Sequence, residues 1–420
     1  MALNGRSMPA PDQQARRARA AVAALFLTNG AVFFNVVPRY PEIKAGLDVG
    51  NAVFGGAVAG MPIGALLAGL FAGAAVRRFS SARVAAFGVV AMAVVTPAIP
   101  FVSHWTAFWG VLFVLGALDA VMDVAQNAHG LRVQRLYRRS IVNSFHGVWS
   151  IGAVLGGLMG SAAAGLHLPL SVHLTISAVL ISAVALVAYR FLLPGSDDAE
   201  RAVVATPAPE RPGVLSEASG DAPGRAGRRW RPAVRALIAL GVLAACGALV
   251  EDAGESWGAL FLSGDLGAGA ATAGLAVVVF QAAMTVGRLT GDRVVDRFGN
   301  RTVARAGGLL AAAGMGGALA VPSVATALAG FALAGLGVAT VVPAAMHAAD
   351  ELPGLPPGAG LTVVSWLLRG GFLISPLIVG AVADLAGLRM GLLSVVFAGV
   401  MTVLLARSLA GRFRPRSERA

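Results

Sequence analysis

The chain has 420 residues, of which 57% are hydrophobic and 13% are charged, and its formal net charge is +12. A soluble globular chain is about 45–50% apolar and about 25% charged, so this composition excludes a cytosolic enzyme, a nucleic-acid-binding protein and a secreted domain, and indicates an integral membrane protein. The single cysteine, Cys246, excludes an intramolecular disulfide and a cysteine metal cluster.

Apolar stretches long enough to cross a bilayer recur along the whole chain. A membrane-spanning helix needs about 20 mostly apolar residues. Twelve stretches meet this length, and they lie at about 19–37, 52–75, 84–103, 106–127, 141–164, 168–192, 233–254, 270–290, 303–321, 323–348, 358–384 and 387–409. We therefore predict an all-α membrane protein with twelve transmembrane helices.

A long polar segment separates the first six stretches from the last six. Residues 194–231 are rich in Pro, Gly, Ala, Asp, Glu and Arg, a composition typical of a flexible linker. The sequence thus predicts an N-terminal bundle at 1–193, a linker at 194–231 and a C-terminal bundle at 232–420.

Basic residues are distributed unequally between the two sides of the predicted membrane. Only Arg39, Lys44 and Arg389 fall in odd-numbered loops, whereas the termini, the linker and the even-numbered loops carry nearly all of the 33 Lys and Arg. By the positive-inside rule, both termini and the linker are expected on the cytoplasmic side of a bacterial inner membrane.

The two halves share a sequence pattern at the end of their second helix. Arg78-Phe79 in the first half corresponds to Arg297-Phe298 in the second, 219 residues later (297 − 78). A parallel repeat of six plus six helices is one of the architectures of secondary transporters, so we expect two six-helix bundles related by a pseudo-twofold axis.

With this repeat, the chain resembles the major facilitator superfamily, whose loop motif is Gly-x-x-x-Asp-Arg-x-Gly-x-Arg. The second half carries its core as Asp296-Arg297-Phe298-Gly299-Asn300-Arg301, whereas the first half has Arg77 in place of the acid and Ser80 in place of the glycine. The resemblance implies a conformational latch formed by Gly287, Asp292, Asp296, Arg297, Gly299 and Arg301.

Other stretches resemble a bacterial branch of that family near the fucose permeases. They are Asp119-x-x-x-Asp123-x-x-x-Asn127-x-x-Gly130, Ser144-Phe145-His146-Gly147-x-Trp149-Ser150, Glu251…Trp257 and Gly371-Phe372…Pro376…Gly380. The resemblance implies that helices 1, 4, 7 and 10 line a central cavity and that helices 3, 6, 9 and 12 face lipid, and the apolar cores of those four lipid-facing helices carry no charged residue.

Carboxyl groups lie deep within predicted helix 4. Asp119 and Asp123 are four residues apart on one helix face, which Asn127 continues. Ionisable residues at membrane depth mark proton and substrate pathways. We expect Asp119, Asp123, His146 on helix 5 and Glu251 on helix 7 to couple transport to protons, and a structural hydrogen-bond lock between helices 4 and 5 is the alternative.

Predicted helix 7 contains the polar run Glu251-Asp252-Ala253-Gly254-Glu255-Ser256. A helix broken at membrane depth is tolerated where it lines a cavity, so we expect a gate or binding element here. The alternative is that helix 7 ends at this run and Glu255 is a solvated end residue.

Arg369 lies near the centre of predicted helix 11 and stays charged at physiological pH. Pairing with Asp119 or Glu251 is the favoured prediction, because acids outnumber this single base, and an acidic group of the substrate is the alternative. The other predicted substrate contacts are Asn29, Asn35, Asn127, Glu251, Glu255 and Gln281, for which interhelical hydrogen bonds are the alternative.

These features favour a secondary active transporter that moves a small solute by alternating access, with proton coupling and efflux. Uptake of a sugar-like or acidic metabolite and a transporter-fold receptor that does not translocate remain the alternatives. An intramembrane enzyme is disfavoured, because neither His-Glu-x-x-His nor Gly-x-Ser-x-Gly occurs. We expect a monomer in the lipid bilayer, with protons and a small molecule as partners, and no cofactor, metal or nucleic acid.

Overall fold

The computed structural model describes residues 13–137, 141–195, 223–352, 355 and 358–409, without the side chains of residues 143 and 223–233. Within these ranges the regular elements are helices, and twelve of them are long and apolar enough to cross a membrane. These helices are α1 Gln13–Leu47, α2 Asn51–Phe79, α3 Ser81–Phe101, α4 Trp105–Tyr137, α5 Ser144–Gly165, α6 Leu170–Tyr189, α7 Val234–Gly264, α8 Ala270–Phe298, α9 Asn300–Ala320, α10 Val324–Asp350, α11 Ala359–Ala386 and α12 Leu388–Ser408.

The twelve predicted helices are confirmed, although several extend beyond their apolar segment. Helix α4 continues to Tyr137 instead of ending near 127, and α8 continues to Phe298 instead of ending near 290. The helical backbone of α7 begins earlier, at Pro223. Arg and other good helix formers lengthen these helices into water. Residues 196–222 of the predicted linker lie outside the described residues.

With an even number of spans, α1 begins and α12 ends on the same side of the helical assembly. We call this side the terminal face and the other side the opposite face. The even-numbered helices therefore end at the terminal face, and the odd-numbered helices end at the opposite face.

Small residues let α5 pack directly on α1. Gly152, Gly156 and Gly160 lie against the backbone carbonyl oxygens of Leu27, Ala31 and Asn35, one turn apart on α1, and a Cβ atom at any of the three glycines would clash with those oxygens. Van der Waals packing of this kind stabilises helix pairs in a bilayer, where the hydrophobic effect between helices is absent.

The sequence repeat is also a structural repeat. The guanidinium carbon of Arg78 lies 5.5 Å from the ring centroid of Phe79, and that of Arg297 lies 5.6 Å from the ring centroid of Phe298. The next residue adopts the same backbone conformation in both halves, with φ 74° and ψ 149° at Ser80 and φ 80° and ψ 150° at Gly299. Serine thus occupies a backbone region that is populated almost only by glycine.

At the opposite face the two bundles pack against each other. The rings of Phe54 on α2 and Trp257 on α7 are 6.3 Å apart in an edge-to-face arrangement, and both side chains are fully buried. Gly55 on α2 lies against the backbone carbonyl of Pro376 on α11, where a Cβ atom would clash. Aromatic and backbone contacts therefore close this face.

A carboxylate of the C-terminal bundle joins the two bundles at the opposite face by capping a helix of the N-terminal bundle. Oδ1 and Oδ2 of Asp384 on α11 accept hydrogen bonds from the backbone N–H groups of Asn51 (2.7 Å) and Ala52 (2.8 Å) at the start of α2. The free N–H groups and positive dipole end of a helix favour such a carboxylate. Sequence analysis did not identify Asp384.

The bundles diverge toward the terminal face. Ser375 and Pro376 on α11 are buried, whereas Arg369, two turns nearer the terminal face, is exposed. His146 on α5 and His347 on α10 are exposed as well. The separation toward the terminal face is thus between α2 and α11, whereas α5 and α8 stay in contact there, with the Leu289 side chain against Gly147. The opposite face is closed.

We expect Ser80→Gly to stabilise the protein, because glycine relieves a strained backbone that costs on the order of 1–3 kcal/mol. Part of this gain is offset, since glycine raises the conformational entropy of the unfolded chain. The net gain should be about 1 kcal/mol, and the reverse change Gly299→Ser should destabilise by a similar amount. Thermal unfolding in detergent measures both variants. A lower melting temperature for Ser80→Gly would show that the serine makes a compensating contact.

We expect Asp384→Ala to loosen the opposite face, since it removes both hydrogen bonds to the start of α2. Loss of a helix cap costs about 1–2 kcal/mol, so hydrogen exchange of the amides of Asn51 and Ala52 should accelerate about tenfold, as measured by mass spectrometry of the peptide that contains them. Asp296→Ala, at the terminal face, is the matched control and should leave this exchange unchanged. Equal exchange in wild type and Asp384→Ala would rule out the cap as a closing contact.

Candidate functional site

Ionisable side chains from both bundles lie on the helices that border the central opening, from mid-helix at Asp119 and Glu251 to the first turn of α5 at His146. The N-terminal bundle contributes Asp119, Asp123 and His146, and the C-terminal bundle contributes Glu251, Arg288 and Arg369. Charged groups within the membrane normally face a cavity or one another, and the contacts described below show both situations.

A hydrogen-bonded row crosses from α4 to α5. Nδ2 of Asn127 donates to Oδ1 of Asp123 (3.0 Å), and Oδ1 of Asn127 lies 3.1 Å from Nε2 of His146. Asn127 therefore bridges the carboxylate and the imidazole, which sequence analysis expected to interact directly. Nε2 of His146 must carry the proton of that bond, because an amide oxygen can only accept.

Asp119 lies one turn from Asp123 along α4, toward the opposite face. Its carboxyl group is partly buried and forms no hydrogen bond or ion pair with the described residues. The two carboxyl groups share one helix face as predicted, but only Asp123 belongs to the hydrogen-bonded row. An unpaired carboxyl at this depth is free to take up or release a proton.

An ion pair joins α7 and α8. Nη2 of Arg288 donates to Oε1 of Glu251 at 2.9 Å, with the Glu251 side chain 12% exposed and that of Arg288 34% exposed. Arg288 also interacts electrostatically with His146 in the other bundle. The positive charge of Arg288 therefore disfavours a positive charge on His146 across the two bundles.

Arg369 is not paired with Asp119 or Glu251 in this conformation, and a salt bridge that forms and breaks as the bundles rock stays a prediction. Glu251 is held by Arg288 instead. Arg369 is exposed, and Nη1 lies 3.8 Å from the position that a Cβ atom on Gly69 of α2 would occupy. Among the described residues it forms no ion pair. Its positive charge interacts electrostatically with the carboxylate of Asp123 in the other bundle. The guanidinium thus extends from the C-terminal bundle toward the N-terminal bundle.

Helix α7 is not broken at its polar run, so the predicted break and the predicted helix end are both wrong, whereas a gating or binding role for the run stays a prediction. The helix continues without interruption through 251–256 to Gly264. Glu255 is therefore not an end residue: Oε1 accepts a hydrogen bond of 2.6 Å from Nε2 of Gln281 on α8, and Gln281 is fully buried. Tertiary contacts with α8 and the aromatic seal hold this part of α7 helical.

Asn29 and Asn35 lie inside the N-terminal bundle and not in the central opening. Nδ2 of Asn29 lies 3.4 Å from Oε1 of Gln126 on α4, and Oδ1 of Asn35 accepts from Nε2 of His173 on α6 at 2.8 Å. Both asparagines are at most 5% exposed. The interhelical hydrogen bonds that were the alternative for these residues are present in the structure, and a substrate contact at either asparagine stays a prediction.

The residues of the predicted latch divide into two groups. Gly287 is buried where α8 packs on α10, against Ala339. The others are exposed at the terminal face, and Asp292 and Asp296 form no ion pair within the described ranges. These exposed residues are Asp292, Asp296, Arg297, Gly299 and Arg301. The loop makes no latch in a conformation whose bundles are apart on this side.

Two charged residues of the site were missed by sequence analysis. Arg288 lies within the predicted span 270–290 but was grouped with the basic loop after it, and strict use of that span would have found it. Asp252 is buried, accepts from Ser256 Oγ at 3.1 Å through Oδ1, and leaves Oδ2 without a partner among the described residues. The sequence places Asp252 in the polar run of α7, but it does not show which carboxylate of that run faces the protein interior.

Solved structures of other proteins share this fold. The nucleoside transporter NupG has a TM-score of 0.68, with 15% identity over 95% of this chain and 98% of that protein. A bacterial homologue of the lysosomal transporter Spinster, in an inward-facing and unoccupied conformation, scores 0.66 with 16% identity over 95% of this chain and 98% of its own. The outward conformation of the transporter FucP scores 0.56, with 16% identity over 95% of this chain and all of that protein.

Sequence comparisons agree with the fold. An uncharacterized transporter of Sinorhizobium fredii is 29% identical over 91% of this chain and 96% of its own length, and an uncharacterized MFS-type transporter of Yersinia pestis is 27% identical over 89% and 90%. The profile of the Major Facilitator Superfamily matches residues 243–420. The expected resemblance to the major facilitator superfamily is thereby confirmed: its profile matches the second half of the chain, and relatives that align with about nine-tenths of the chain are transporters.

Proposed function

We propose that this transporter couples the movement of a small organic solute to protons and works by alternating access, with efflux as its direction. The observation that carries the proposal is a set of ionisable side chains from both bundles at membrane depth, with His146 and Arg369 exposed and the opposite face closed by aromatic and backbone contacts. Rocking of two bundles around a central site is the usual mechanism of such inverted or parallel repeats.

The terminal face is proposed to be the cytoplasmic face of a bacterial inner membrane. The arginine-rich ends of α2, α4 and α8 all lie on this side, and the positive-inside rule assigns such ends to the cytoplasm. In this orientation the described conformation is open to the cytoplasm.

Proton coupling is proposed to use Asp119, Asp123 and His146, with Glu251 as the corresponding acid of the C-terminal bundle. Asp123 and His146 are joined through Asn127, so a change of charge at one end of the row alters the hydrogen bond at the other. Arg369 and Arg288 bring the positive charges of the C-terminal bundle toward these groups. A proton bound at the carboxylates therefore changes the attraction between the bundles.

Uptake of an acidic metabolite is the second candidate, and a specific observation favours it. Arg369 is exposed in the opening and has no ion pair among the described residues. The planar fork of a guanidinium suits a carboxylate or phosphate. A thermal-stabilisation screen of metabolites and drugs would identify a solute that binds. The flux of that solute in proteoliposomes, followed in both directions under an imposed pH gradient, would decide between efflux and uptake.

We expect Asp123→Asn to reduce gradient-driven transport by about tenfold or more, equivalent to about 1.4 kcal/mol, and to leave gradient-free exchange within about twofold. The asparagine Oδ1 still accepts from Asn127, but the side chain cannot carry a proton. Flux of the solute found in the screen, with and without a pH gradient, measures both quantities. The matched control Asp48→Asn, an exposed residue in the loop after α1, should behave as wild type. Full gradient-driven transport by Asp123→Asn would make Asp123 structural and move the proton site to Glu251.

We expect Arg369→Ala to abolish transport while the protein keeps its melting temperature within a few degrees, because the side chain is exposed and supports no ion pair. Arg369→Lys should restore little, since an ammonium group lacks the bidentate fork. Arg389→Ala, at the start of α12, is the control for loss of an arginine. Near-normal transport by Arg369→Ala would refute a central role for this residue.

A further inference from the structure

A second polar region lies outside the central opening, within the N-terminal bundle. A cavity of about 770 Å³ occurs at the terminal-face ends of α2, α3, α4 and α6. It is separate from the charged groups between the bundles and is not used by the proposed mechanism, although its wall includes Arg77 and Ser80, which stand at the acid and glycine positions of the family loop motif.

The cavity is lined by four arginines and by no acid. Arg77 and Arg78 at the end of α2, Arg83 at the start of α3 and Arg190 at the end of α6 contribute to its wall, and the wall contains no Asp or Glu among the described residues. All four side chains are exposed, and none forms an ion pair within the described part of the chain. Four neighbouring positive charges repel one another and attract an anion.

The inner wall of the same cavity is apolar. Val124 on α4 and Phe79 at the end of α2 line it with exposed side chains (41% and 54%), and Leu192 and Leu193 after α6 line it with buried ones. Exposed apolar side chains beside guanidinium groups are typical of the level at which acyl chains meet headgroups. A small soluble anion would use the arginines and leave this apolar wall in water.

The corresponding position of the other half has a different charge. Arg77 occupies the place of Asp296, 219 residues later (296 − 77), and α8 carries Asp292 one turn before it. The backbone is the same in both loops, as Ser80 and Gly299 show. The N-terminal loop is therefore purely basic where the C-terminal loop has charges of both signs, and the two loops share one backbone shape. The C-terminal loop can serve as a control for the effect of the arginines.

We propose that this cavity binds the phosphate group of an anionic membrane lipid, with Arg77, Arg78, Arg83 and Arg190 around the phosphate and the apolar wall along the glycerol and upper acyl chains. Arginine clusters at the cytoplasmic ends of membrane helices are suited to such headgroups, and guanidinium–phosphate pairs form two parallel hydrogen bonds. Free phosphate shares the charge of the headgroup but gains nothing from the apolar wall.

The test compares the melting temperature of the purified full-length protein in neutral detergent with added phosphatidylglycerol, with phosphatidylcholine of the same acyl chains, and with inorganic phosphate. Phosphatidylglycerol should raise the melting temperature by several degrees, and the other two should raise it by less than half as much. An equal shift with phosphatidylcholine would overturn the proposal. A shift with inorganic phosphate as large as that with phosphatidylglycerol would overturn the lipid as the source of the anion.

Two matched variants locate the site. Arg77→Gln/Arg83→Gln/Arg190→Gln should lose at least about half of the phosphatidylglycerol shift, whereas Arg293→Gln/Arg297→Gln/Arg301→Gln in the other half should keep it. If the two variants lose the shift equally, the effect is general surface charge and the proposal fails.

A second measurement keeps the test valid if the triple variant unfolds. The single substitution Arg77→Asp restores the acid found in the second half and should lower the preference of the membrane-reconstituted protein for spin-labelled phosphatidylglycerol over spin-labelled phosphatidylcholine. An unchanged preference, read from the motionally restricted fraction of the spectrum, would contradict the site.

Discussion

The cost of placing charge within a membrane governs the arrangement of this protein. A charged side chain at the bilayer centre costs at least about 2.5–3.5 kcal/mol, so each such group must meet water, a partner or an opposite charge. Glu251 meets Arg288, Asp123 meets Asn127, and Arg369 meets the opening between the bundles. The apolar cores of α3, α6, α9 and α12 carry no charge, and this leaves the lipid-facing surface free of that cost.

The same constraint explains why the polar groups lie where the bundles meet. Contacts that are permanent can be apolar, as in the close packing of Gly152 and Gly156 on α1. Contacts that must form and break need groups that water can satisfy when they separate. Under the proposed alternating access, Asp384 at the start of α2 is of this kind, because its carboxylate and the backbone N–H groups of Asn51 and Ala52 can be hydrated when they separate.

The fold was predictable because bilayer thickness and the helical rise leave few solutions for twelve apolar segments. The repeat of Arg78-Phe79 in Arg297-Phe298 also predicted a conformation that the backbone angles of Ser80 and Gly299 show. Helix ends were less predictable. Hydropathy marks only the apolar part of a helix, and the arginines that follow an apolar segment can continue the helix although they are polar.

Side-chain partners were the least predictable feature, because they depend on helix rotation, which composition does not specify. Asn29 and Asn35 share α1 with cavity-facing positions, yet they turn toward α4 and α6. Glu251 pairs with Arg288 and leaves Arg369 without an acid. The polar run of α7 suggested a break by local propensity, but burial of Trp257 and the hydrogen bond from Gln281 to Glu255 stabilise a continuous helix.

The most direct measurement is a pair of inter-bundle distances from double electron–electron resonance, in the Cys246→Ala background. One pair of spin labels, at Leu136 and Glu351, spans the terminal face, and the other, at Gly46 and Leu385, spans the opposite face. If the bundles rock about the central charges, a change from alkaline to acidic buffer should alter the two distances in opposite directions, and Asp123→Asn should suppress that response. Distances that do not change with pH, or that change together in the same direction, would contradict a proton-driven exchange of access between the two faces.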